Sequence, residues 1–150
     1  MNVQQLTKTL TEFSGPLEVD DLVVRNFNGP ADIDLWIDIQ QQAFESARPA
    51  ARPWSRADFT KNMLKQSWWS PQRMWFAEEV NTSAAIGTVT LAMRSGKSGV
   101  LPVVHWLAVA PRWRRLGIAR LLLSHLEATC WDQDLREIRL ETHNGWQKAA

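Results

Sequence analysis

Between Trp106 and Arg120 the chain reads WLAVAPRWRRLGIAR. Arg112, Arg114, Arg115 and Arg120 crowd this stretch with no acidic residue among them, and Gly117 and Ala119 are interleaved. Leu107 to Val109 is apolar and suits a strand, Pro111 imposes a turn, and Ile118, Leu121, Leu122, His125 and Leu126 recur at helical spacing. A strand therefore runs into a turn that opens a helix. The first N–H groups of a helix have no internal partner and sit at the positive end of its dipole. Small residues at 117 and 119 let a pyrophosphate approach those N–H groups. The chemistry this pattern offers is anion binding. Arginines beside a helix start also read as a solvated face, and it is their coincidence with Gly117 and Ala119 that favours the anion site.

Proton transfer needs a group that titrates near neutrality. His105 lies just upstream on the same strand and is the leading candidate for a base. It can equally pack or hydrogen-bond on a buried strand, and both readings stand at this point. Glu78, Glu79 and Glu141 are alternative carboxylates, better explained as solvated or structural. His125 falls on the apolar face of the following helix as a core histidine, and His143 sits in a turn. Cys130 is the single cysteine, so it forms no internal disulfide and builds no zinc site alone; it reads as a small buried hydrophobe. No metal site is expected. The chain has nine tryptophans and no tyrosine. Trp36 and Trp68 fall at core spacing. Trp75 and Trp106 lie on strands, where they pack or line a pocket, while Trp54, Trp69 and Trp113 flank turns and are expected at the surface.

The elements that must position these groups follow from periodicity and punctuation. Leu22 to Phe27 reads as a strand closed by Asn28-Gly29-Pro30. A helix follows from Asp32 through Phe44, then the Pro-containing linker Ser46 to Pro53. Ser55 and Asp58 form a capping-box pattern ahead of Phe59, Met63, Leu64 and Trp68, and Pro71 ends that helix. Met74 to Val80, Ala84 to Arg94 and Val100 to Val109 are three strands, with Gly87 a candidate bulge. A helix from about Leu116 to Trp131 and a strand from Leu135 to Thr142 complete the pattern, and Trp146 to Ala150 opens a further helix. Residues 1–20 read as a loose arm or short helix. The order places adjacent strands before a helical crossover, which predicts an α/β (α+β) fold with a mixed central β-sheet flanked by helices, in one domain over 1–150.

Composition narrows the function classes. At 150 residues with 17 Lys plus Arg against 16 Asp plus Glu, the chain is one domain of near-zero net charge. A polybasic nucleic-acid binder is excluded on that balance, and tryptophan stacking platforms without a basic groove are disfavoured. No signal-peptide pattern and no apolar run of spanning length is present, so the expected address is the cytoplasm, with no membrane partner.

The segment Leu107-Ala108-Val109-Ala110-Pro111, then Arg114-Arg115-Leu116-Gly117-Ile118-Ala119 and the leucine-rich helix Leu121 to Leu126, resembles the GNAT superfamily of acyl-CoA-dependent N-acyltransferases. Glu141-Thr142-His143-Asn144 is similar to the end of that family's fifth strand. The resemblance implies that the backbone of Leu107, Ala108 and Val109 pairs with a pantetheine arm. It implies further that the N–H groups of Arg114, Arg115, Leu116, Gly117, Ile118 and Ala119 hold a pyrophosphate, with Arg120 near a phosphate and Asn144 beside the pantetheine or the departing sulfur. The co-substrate implied is acetyl-CoA, and the acceptor a small-molecule or protein amine that attacks the thioester directly, with His105 as base. Two departures stand out. The family continues past the position of Ala150 with a tyrosine-bearing helix and further strands, so the fold reads as C-terminally incomplete and lacks that proton donor. An open sheet edge would follow, favouring a homodimer. Ala119 replaces a commoner glycine, and Arg115 stands where glycine is frequent. The alternative is an incomplete or degenerate domain that binds acyl-CoA without efficient turnover.

Overall fold

A computed structural model describes residues 3–13, 15–44, 53–96 and 99–143. Six strands form one sheet in the order β1-β6-β5-β4-β3-β2: β1 (Val3–Thr9), β2 (Leu22–Asn26), β3 (Met74–Glu79), β4 (Ala85–Gly96), β5 (Gly99–Val109) and β6 (Glu137–His143). Only β5 and β6 run parallel; every other neighbouring pair is antiparallel. That parallel pair is joined by α3 (Ile118–Asp132), as a parallel pair requires. The fold is the mixed sheet flanked by helices that the sequence predicts.

The helices divide between the two faces. On one, Ile118, Leu122, Leu126 and Cys130 of α3 pack on Trp75, Ala77, Val89, Leu91, Val104 and Val109. On the other, Ile33, Trp36, Ile39 and Ala43 of α1 (Ala31–Ala43) join Phe59 and Met63 on Met74, Phe76 and Ala108. Phe59 closes α2 (Arg56–Phe59), which continues as a π-helical turn over Thr60–Leu64. The capping box at its start is formed: Asp58 N–H donates to Ser55 Oγ at 3.2 Å and Ser55 N–H to Asp58 Oδ2 at 2.8 Å. At the start of α1, the Asp32 carboxylate accepts the Asn28 N–H at 2.6 Å and both arms of Arg25 at 2.8 Å. Arg25 Nε also donates to Glu78 Oε2 at 2.9 Å, tying β2, β3 and α1 together. The Arg25 guanidinium holds the Asp32 carboxyl below the usual carboxylate range.

Two local expectations are corrected. Residues 3–9 are not a loose arm: β1 pairs antiparallel with β6 along its length, from Val3 opposite His143 to Thr9 opposite Glu137. β1 thus covers β6 and is itself the edge strand on that side of the sheet. The short polar alternation of the first residues carries little burial signal, so only the tertiary partner reveals the strand. The helix after Ser55 ends at Leu64, before Trp68. Gly87 adjoins a bulge, as expected: Ala77 faces Gly87 but Glu78 faces Ala85, leaving Ile86 extra. It also serves close packing, since a Cβ there would lie 3.1 Å from Ile118 Cγ2 and Leu122 Cδ1 and 3.2 Å from the Ala108 oxygen.

Candidate active site

Strands β5 and β6 touch only briefly. Their register covers Val103 opposite Arg139 and Val104 opposite Leu140, and ends there. β5 runs on to Val109 and β6 to His143, so the two separate like the arms of a V. Ala110 N–H donates to the Ile86 oxygen of β4 at 2.8 Å, and Ala108 sits opposite Thr88. By the two-residue alternation of a strand, the backbone groups of Leu107 and Val109 therefore face away from β4, into the gap. Ala108 does not: its backbone faces β4 and its side chain lies in the α1-side core. Of the three residues expected to offer free backbone, two do so.

The register between β4 and β5 slips inside this same stretch. Thr88 faces Ala108 and Thr90 faces His105, so Val89 alone opposes both Trp106 and Leu107. This is a β-bulge. Trp106 carries it with a φ of +53°, a left-handed conformation that costs a bulky residue on the order of 1–3 kcal/mol. Its carbonyl accepts a hydrogen bond from Gln40 Nε2 of α1 at 3.0 Å. Its ring lies 5.6 Å from that of Trp36 and 5.0 Å from that of Trp54. Trp54, expected at the surface, is half-buried in this cluster.

Beyond Val109 a short 3-10 turn (Pro111–Trp113) leads to α3. Gly117 occupies the N-cap with a φ of +81°, and no side chain caps the helix. The N–H groups of Ile118, Ala119 and Arg120 thus have no intrahelical acceptor; the first such bond runs from Leu121 N–H to the Gly117 oxygen at 3.0 Å. A Cβ built at Gly117 meets nothing within 4 Å, so the approach is open. Arg112, Arg115, Leu116 and Arg120 are exposed around it. Arg115 takes a φ of +66°, the conformation that makes glycine comfortable at this position. Arg114 points elsewhere. Its Nη2 donates to the Ala43 oxygen at the end of α1, and its own N–H donates to the Pro111 oxygen at 3.4 Å. It braces the turn against α1.

His105 is half-buried on the α1 side, its ring 6.4 Å from Trp68 and 5.7 Å from Trp106. Burial, reinforced by Arg94, pushes its pKa down to about 4. It is neutral at pH 7, with a lone pair but little basicity. Glu78 is committed to Arg25. Cys130 is fully buried and burial pushes its thiol up to about 12, which fits a packing role. Among the described residues no His, Cys, Asp or Glu cluster could hold a metal, and no helix is long and apolar enough to cross a membrane. Asn144 lies outside the described residues. Sequence reasoning missed Gln40, whose place on the buried stripe of α1 hides a polar side chain aimed at the bulge; only its contact with Trp106 distinguishes it.

Residues 33–150 match the family model described as acetyltransferase (GNAT) family. The chain belongs to the GNAT acetyltransferase family. A mycothiol acetyltransferase from Acidothermus cellulolyticus is 29% identical over 113 residues, covering 69% of this chain and 34% of that protein. Among solved structures, a GCN5-related N-acetyltransferase from Sphaerobacter thermophilus superposes with a TM-score of 0.75 over 98% of this chain and 46% of its own, at 18% identity. The N-myristoyltransferase of Saccharomyces cerevisiae with bound myristoyl-CoA gives a TM-score of 0.69 at 11% identity, over 82% of this chain and 31% of its own. At these identities the two structures speak for the fold alone. The chain spans about a third of the curated relative and under half of either structure.

Proposed function

We propose that this chain is an acyl-CoA-dependent N-acyltransferase that moves an acetyl group from acetyl-CoA to an amine of a small molecule or protein. The observation that carries the reading is the alignment of two anion- and amide-binding surfaces in one stretch of chain. The unpaired backbone edge of Leu107 and Val109 in the β5/β6 gap suits the amide-bearing pantetheine arm. The uncapped start of α3, a few residues on, suits the pyrophosphate, with Arg120 and the N–H groups of Ile118 and Ala119 as its donors. Asn144 is assigned to the pantetheine side on family resemblance.

The chemistry then follows from what the strand offers. The amine nitrogen bonds to the thioester carbon and the C–S bond breaks. The Leu107 N–H, which faces the gap, stabilises the charge that develops on the carbonyl oxygen. His105 receives the proton shed by the attacking nitrogen. Its low pKa suits it to this stage rather than to stripping a free ammonium ion, because nitrogen becomes far more acidic as its bond to carbon forms. The departing thiolate takes its proton from water, and protonated His105 gives its proton to the hydroxide left behind, so the step balances.

Calorimetry with acetyl-CoA, followed by thiol release with a panel of amines, tests this. Wild type is expected to bind acetyl-CoA and release thiol when an accepted amine is present. Gly117→Asp places a carboxylate at the phosphate site and is expected to abolish binding. Gly117→Ala strains the backbone by about 1 kcal/mol without filling the approach, and is expected to retain it. Binding without thiol release would identify a domain that holds acyl-CoA without turnover. Undiminished affinity in Gly117→Asp would refute the pyrophosphate placement.

A further inference from the structure

Among the described residues, four buried side-chain polar atoms have no hydrogen-bond partner: Trp36 Nε1, Gln40 Oε1, Thr90 Oγ1 and Arg114 Nε. The first three belong to residues that meet the bulged part of β5, and Arg114 follows the turn after that strand. Trp36 packs its ring on Trp106, Gln40 bonds the Trp106 carbonyl, Thr90 faces His105 across the ladder, and Arg114 anchors to the end of α1. Burying a polar atom unpaired costs about 1–3 kcal/mol, so stability alone does not account for such a concentration.

Gln40 is the member that acts on the backbone. It is 8% exposed, and the one hydrogen bond of its amide goes to Trp106. Because a carbonyl accepts only from the NH2 arm, that bond fixes the amide orientation and leaves Oε1 unpaired. The bond holds the carbonyl of a left-handed tryptophan, and that carbonyl shares one planar peptide unit with the Leu107 N–H, so fixing the one fixes the direction of the other. We infer that Gln40 is a positioning residue: acting through Trp106, it aims the Leu107 N–H at the reacting carbonyl without touching substrate. The inference rests on the acyl-transfer reading above for its catalytic meaning, but not for its geometry.

Gln40→Met keeps the side-chain length and removes the donor. Steady-state thiol release with butylamine, glycinamide and an alanyl peptide is the assay, alongside acetyl-CoA calorimetry. The expected result is a kcat lower by roughly tenfold to a hundredfold, with acetyl-CoA affinity and amine KM changed less than twofold. Gln40→Glu supplies a pH signature. Its neutral carboxyl donates to the Trp106 oxygen as the amide does, whereas the carboxylate cannot. Its kcat is therefore expected to fall relative to wild type as pH rises and that group ionises. Unchanged kcat in both variants overturns the inference, as does a Gln40→Met defect confined to acetyl-CoA affinity. Backbone amide NMR keeps the question separate from turnover. In folded Gln40→Met the Leu107 amide resonance is expected to move while those of β2 and β3 stay; an unmoved Leu107 resonance overturns the inference even in a protein that acylates no amine. Failure of wild type to bind acetyl-CoA, with Leu107 still responsive, counts against the acyl-transfer reading instead.

Discussion

His105 links the chemistry of the site to the stability of the molecule. An unfolded histidine takes up a proton near pH 6.5, whereas folded His105 resists until about 4. Below 6.5 the unfolded chain therefore binds more protons, and stability is lost as pH falls through that window. The loss totals on the order of 3 kcal/mol. Urea midpoints for wild type are expected to drop between pH 7 and pH 4.5, and His105→Gln to flatten that slope; an unaltered slope would contradict the burial assigned to His105. In catalysis the same depression means kcat/KM tracks deprotonation of the amine, with no inflection near 6.5. The motif residues were legible because their types are unusual together: arginines, a glycine and an alanine at a strand–helix junction announce an anion site. Arg114 and Gln40 were not, since a side chain's direction depends on partners far along the chain, Ala43 for one and Trp106 for the other.

At the scale of elements, α3 must lie close to the sheet for its start to sit beside the β5/β6 gap, and Gly87 is what lets it. Gly87→Ala would drive a methyl into Ile118 and Leu122 at their first-turn contacts with β4. The expected cost is about 1–3 kcal/mol, read as a lower denaturation midpoint, together with weaker acetyl-CoA binding as the helix start shifts. A midpoint equal to wild type would mean the helix yields without strain. Helices α1 and α3 were readable from their apolar period, and the cap of α2 from two residues, Ser55 and Asp58. The bulge was not, because nothing in the run Val103 to Val109 distinguishes an even ladder from one with an extra residue. Gly87 was legible as a bulge position, and the register shifts beside it; its second role, room for α3, depends on a helix far along the chain and was not.

For the whole molecule, the strand least visible in the sequence closes the sheet. Removing residues 1–9 strips β6 of its antiparallel partner and bares a run of backbone donors and acceptors. That variant is expected to self-associate in light scattering at concentrations where wild type stays monodisperse, and a monodisperse truncation would show that the edge is protected otherwise. The pairing of β1 with β6 also orders events in time. Val3 meets His143, so β1 finds its place only once the chain through residue 143 is available to pair with it. Until then it is a strand in waiting, and closing so long a loop is the slow kind of contact. Because β6 frames one side of the gap beside β5, this long-range ladder ties the shape of that gap to the pairing of β1.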